Sequence, residues 1–108
     1  MALDLPEPLS EYFAAANTDD AGRIAACFTE DATVHDEKHD FVGRAAIRQW
    51  AADARSKYSF QSEPFQTEGD ADRPVITAHV TGDFPGSPVD LTYRFVIIDG
   101  AIAALSIG

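Results

Sequence analysis

At 108 residues, 45% of them hydrophobic, the chain has room for one domain with one packed core and little beyond it. Eight Lys and Arg against 18 Asp and Glu give a formal net charge of −10. Such a surface repels phosphate backbones and anionic lipid, so nucleic acid and membrane surfaces are poor partners.

The start of the chain has neither a basic stretch nor a long apolar one, so no signal peptide is expected. No apolar run approaches the length that spans a bilayer, and the expected location is cytoplasmic. Pro6 suits the first turn of a helix, where its missing N–H costs nothing. Leu5, Leu9, Tyr12, Phe13 and Ala16 then form one apolar stripe at helical spacing. Asn17-Thr18 is expected to break this helix and cap a short second one, with Asp19 and Asp20 at its positive end. Ile24, Cys27 and Phe28 supply the second stripe. Cys27 is the lone cysteine and forms no intrachain disulfide; it reads as a small buried hydrophobe rather than a catalytic thiol.

Ala32-Thr33-Val34-His35 reads as a short strand, and the charged residues 36–40 as a loop. Gly43 opens a third helix with Ile47, Trp50, Ala51 and Ala54 on its apolar stripe and Arg44, Arg48 and Arg55 elsewhere on its surface. Beyond Lys57 the pattern becomes alternating, over 58–68, 74–84, 89–98 and 101–107, with turn residues between. Short turns imply antiparallel neighbours. Ile76, Ala78 and Val80 share one face, as do Leu91, Tyr93, Phe95 and Ile97, and these faces are expected to meet the helices. His79 and Arg94 fall on the opposite face, which is expected to serve cross-strand or subunit contacts. The reading is α+β: three N-terminal helices on a curved antiparallel sheet, spanning 1–108 as one unit, dimerising through the free sheet face.

Three stretches carry a resemblance. Tyr12-Phe13-Ala14-Ala15-Ala16-Asn17, the run from Phe28 through Ala32-Thr33-Val34-His35-Asp36, and Gly43-Arg44-Ala45-Ala46-Ile47-Arg48-Gln49-Trp50 resemble the nuclear-transport-factor-2-like superfamily. Within it the chain is similar to the SnoaL-like branch that includes polyketide cyclases and steroid Δ-isomerases, and so implies a cystatin-like cone around a small-molecule pocket. The likeness to ketosteroid isomerase implies Asp36 as general base, Tyr12 as hydrogen-bond donor to an oxyanion, and Trp50 as an aromatic pocket residue. Phe95 falls where that enzyme has its second acid and cannot donate a hydrogen bond. The segment between Asp36 and Gly43 is also shorter, and Glu37 stands in place of a proline. Steroid isomerisation itself is therefore not implied.

The expected pocket wall is Tyr12, Val34, Trp50, Val80, Tyr93 and Phe95, with Asp36 at its edge. A carboxylate at the mouth of an apolar pocket serves as a proton acceptor, and a phenol stabilises the oxyanion that forms. Asp36 has an alternative as a solvated loop residue, and Tyr12 as a core ring. His35 and His39 are spaced like the histidines of a zinc-protease helix, but they lie in a strand and a loop with no third ligand, so no metal is expected. No phosphate loop, Ser nucleophile motif or Cys pair points to a cofactor. Two functions stay open. One is proton-transfer catalysis (isomerase, cyclase or dehydratase type) on a small apolar carbonyl compound. The other is a non-catalytic ligand-binding or dimerisation module, its cavity filled by side chains such as Trp50, Phe95 and Leu105.

Overall fold

The computed structural model describes residues 5–108. Two short helices, α1 (Leu9–Ala16) and α2 (Ala21–Ala25), precede a hairpin of β1 (Phe28–Asp36) and β2 (His39–Val42). The longest helix, α3 (Arg44–Lys57), follows, and then β3 (Phe60–Gly69), β4 (Pro74–Gly82), β5 (Val89–Ile98) and β6 (Ala101–Ile107). The strands form one curved six-stranded sheet in the order β2-β1-β6-β5-β4-β3. Register shifts that leave extra residues in β1, β3 and β6 mark the bulges that bend it.

The sheet is mixed rather than antiparallel throughout. β3 to β6 form an antiparallel meander, but β6 returns beside β1 in the same direction, Val34 pairing with Leu105. Tight turns dictate direction within each hairpin; they say nothing about the seam where two hairpin blocks meet. α1 begins at Leu9, later than Pro6 suggested, with the Pro6 carbonyl accepting from the Ser10 amide at 3.1 Å. Asp20, not Asn17-Thr18, caps α2, its carboxylate accepting from the Arg23 amide at 3.0 Å. Asn17 instead clamps α1 to β3. Its amide donates to the Ser62 carbonyl at 2.9 Å and accepts from the Ser62 amide at 2.7 Å.

The loop expected over 36–40 is the hairpin turn and the start of β2. Glu37 and Lys38 both take left-handed φ, 52° and 66°, which matches the twist of a two-residue hairpin turn. Gly43, at φ 91°, then swings the chain from strand into α3, its amide donating to the Ala32 carbonyl at 2.8 Å.

The inward faces read from alternation pack as expected. Ile76, Ala78, Tyr93, Phe95, Ile102 and Leu105 meet Leu9, Tyr12 and Phe13 of α1 and Ile47 and Ala51 of α3 in one buried cluster. Tyr12, Phe13, Tyr93 and Phe95 pack edge-to-face across the helix–sheet seam, with centroids 5.1 to 6.4 Å apart. On the outer face His79 pairs with Asp90 across β4 and β5 at 2.7 Å.

Candidate functional site

The helices do not cover the concave face completely. Between α1, α3 and the sheet a pocket of about 620 Å³ remains. α1 contributes Tyr12 and Ala16, the β1–β2 hairpin Asp36, His39 and Phe41, and α3 Trp50 and Ala51. Val80 of β4 and Leu91 and Tyr93 of β5 form its floor, with Tyr58, Phe84 and Pro85 at one rim.

Asp36 is half-buried at the last position of β1 and opens into this pocket. Its Oδ2 accepts from the indole Nε1–H of Trp50 at 3.0 Å, leaving Oδ1 with no side-chain partner among the described residues. The Trp50 ring is itself braced by Phe41 of β2, centroids 6.2 Å apart. Hairpin and helix thus aim one carboxylate together.

Tyr12 is buried in the aromatic cluster, yet its hydroxyl reaches the pocket and has no hydrogen-bond partner among the described residues. Burial, reinforced by the charges of Tyr93 and Asp36, holds its phenol well above the ordinary range. It therefore keeps its proton and can donate a hydrogen bond. Tyr93 is raised as well, chiefly by burial; its hydroxyl lies 3.4 Å from the Ser62 Oγ, which works the other way, while the Asp36 charge adds to the rise.

Of the expected wall, Tyr12, Trp50, Val80 and Tyr93 line the pocket with Asp36. Val34 and Phe95 do not. Val34 is fully buried and Phe95 is 2% exposed, both in the core beneath. Phe95 points inward like Tyr93, but a face is not a depth: it packs against Tyr12 and Phe13 before reaching open space. Leu105 is likewise in the core, so neither it nor Phe95 fills the cavity.

Arg55 and His39 are among the lining residues that fall outside the expected wall. Arg55 does not lie out on the surface of α3; its side chain is 15% exposed. Its guanidinium donates to the Phe60 carbonyl at 2.8 Å and to the Ala16 carbonyl, and stacks 4.1 Å over the Phe60 ring. Its place four residues after Ala51 on the apolar stripe was a readable signal. His39 is not in a loop but opposite Asp36 in the hairpin register, on the pocket side. His35 faces the other way and meets Asp40 at 2.6 Å, so the two histidines diverge. Among the described residues no group of three or more His, Cys, Asp or Glu could hold a metal ion, and no helix is long and apolar enough to cross a membrane.

Residues 9–105 match the SnoaL-like domain family. Among solved structures, a candidate polyketide cyclase from Sinorhizobium meliloti is 41% identical, with a TM-score of 0.92 over 97% of this chain and 96% of that one. A protein of ketosteroid isomerase-like fold from Catenulispora acidiphila, solved with trimethylamine, is 18% identical, with a TM-score of 0.86 over 97% and 86%. A cystatin-fold protein from Novosphingobium aromaticivorans is 16% identical, with a TM-score of 0.76 over 93% of each chain. At such low identities the last two speak for the fold alone. No curated protein matches the chain.

Proposed function

The chain belongs to the SnoaL-like domain family, and on that premise we propose that it catalyses proton transfer beside the carbonyl of a small, largely apolar compound. One observation carries the reading: the Asp36 carboxylate, held by Trp50, and the unpartnered Tyr12 hydroxyl open into the same pocket. Asp36 takes a proton from the carbon next to the carbonyl through Oδ1. The C–H electron pair moves into the carbonyl, and Tyr12 donates to the oxygen as its negative charge develops. The enolate then either recovers the proton at another carbon, an isomerisation, or attacks a second carbonyl, a ring closure. The likeness to a candidate polyketide cyclase favours the second outcome.

A β,γ-unsaturated cyclic ketone tests this directly, because its conjugated product absorbs in the ultraviolet. Asp36→Asn keeps an oxygen for the Trp50 indole to donate to, so the fold is retained while the base is lost. The expected fall in rate is about 10²- to 10⁴-fold. Unchanged turnover in a folded D36N protein overturns the proposal. A non-catalytic module remains the second reading, and the pocket favours a ligand under either.

We also place a second copy of the chain against the free sheet face. There Thr33, Val75, Arg94, Val96 and Ser106 surround a shallow depression of about 370 Å³. Sedimentation should report a dimer that Arg94→Glu weakens; a wild-type monomer at all concentrations rules the placement out.

A further inference from the structure

Asp36 and His39 are facing residues at the closed end of the β1–β2 hairpin. Facing side chains leave the same side of a two-stranded ribbon with Cβ atoms about 5 Å apart, and both of these line the pocket. The turn between them is two left-handed residues, Glu37 and Lys38, so the spacing is built in. Of the three histidines, His35 and His79 each bond a cross-strand carboxylate, Asp40 and Asp90, away from the pocket. The His39 ring makes no hydrogen bond or ion pair among the described residues.

Enolisation needs a base and an oxyanion donor; an imidazole beside the base is surplus to it. Loss of water from a β-hydroxycarbonyl compound needs more, because the departing hydroxyl must receive a proton. Tyr12 is already engaged at the carbonyl oxygen, and burial holds its phenol well above the ordinary range, so its proton is released less readily. An imidazole exchanges protons near neutral pH. Around His39 the pocket presents Asp36 from β1, Glu37 from the turn, Tyr12 from α1, Asp53, Arg55 and Lys57 from α3, and Tyr58 and Tyr93, and no second imidazole.

Resting on the reading of Asp36 as base, we infer that Asp36 and His39 form an acid–base couple that dehydrates β-hydroxycarbonyl compounds. Asp36 removes the proton beside the carbonyl. The electron pair becomes the new C=C bond as the C–O bond at the next carbon breaks, and the His39 imidazolium protonates the leaving oxygen. Water departs at the mouth, where His39 is exposed. The proton on Asp36 then passes to the neutral imidazole, restoring both groups. Acid and base on one face of one ribbon dictate removal of proton and hydroxyl from the same side of the substrate.

The test pairs two probes that give the same conjugated enone, β-hydroxycyclohexanone by dehydration and the β,γ-unsaturated cyclohexenone by isomerisation. His39→Gln should slow dehydration about 10²- to 10⁴-fold and slow isomerisation at least tenfold less than that. Full dehydration by H39Q, or an equal loss in both reactions, overturns the couple alone. Isomerisation that survives D36N overturns the base reading instead, and a wild-type protein that turns over neither probe overturns both.

Discussion

The indole N–H of Trp50 donates to Oδ2 of Asp36 across 3.0 Å, tying the middle of α3 to the last residue of β1. One carboxylate oxygen is taken by this bond, and the other has no side-chain partner among the described residues. Trp50→Phe keeps the ring against Phe41 but removes the donor. Unfolding in urea should show a loss of about 1–2 kcal/mol, the scale of a partly exposed hydrogen bond to a charged group. Turnover should fall as well, because the carboxylate is no longer aimed; a fully active W50F protein would detach the bond from the chemistry.

Tyr12→Phe is expected to behave in the opposite way. The hydroxyl has no partner among the described residues, so removing it should move stability by no more than about 0.5 kcal/mol. As the oxyanion donor it should cost about 10²- to 10³-fold in turnover. Thermal unfolding and the enone assay on one preparation separate the two effects.

Alkaline pH should unfold the protein through buried groups that resist ionising. Burial raises Tyr12 and Tyr93, and pushes the Cys27 thiol from 9.0 to about 11. A raised folded pKa contributes stability that is fully present below the unfolded value and is lost as pH rises toward the folded one. For Cys27 that window runs from 9.0 to about 11, and the tyrosines extend it from about 10 upward. Urea midpoints should therefore decline above about pH 9, and less steeply in Cys27→Ala. At about pH 8 the buried thiol should react with disulfide reagents only as fast as the protein opens.

Arg55 holds the carbonyls of Ala16 and Phe60 at once. Arg55→Ala strands both and removes the stacking over Phe60, an expected loss of about 2–4 kcal/mol in urea unfolding. Arg55→Lys should recover only part, since an ammonium cannot span two carbonyls in a planar fork.

Much of this molecule is written locally. The parity of Ile76, Ala78 and Val80, and of Tyr93 and Phe95, assigns their faces because side-chain direction alternates whatever lies opposite. The turn at Asp99-Gly100 is equally local, and φ is positive at both residues. The pocket was harder to read. Parity says that Val34 and Phe95 point inward, but whether they meet a helix or open space depends on how far α1 and α3 reach across the sheet. β2 leaves little trace in the sequence because it is an exposed edge strand of four residues whose turn is made by Glu37 and Lys38 rather than by glycine. Only the hairpin register sets His39 opposite Asp36. Trp50 and Asp36 are each visible in the sequence; their contact depends on the crossing of α3 over β1, which no local pattern records.

The seam between β1 and β6 has a consequence for biosynthesis. β6 is the last of the described elements to leave the ribosome, yet it lies inside the sheet, between β1 and β5. Until it arrives, β1 has a partner on one side only, and the halves of the sheet meet through helices alone. Folding must therefore wait for the final strand, and a nascent chain stalled before Ala101 exposes two bare strand edges. A premature stop codon there should yield aggregated or degraded protein rather than a merely weakened fold.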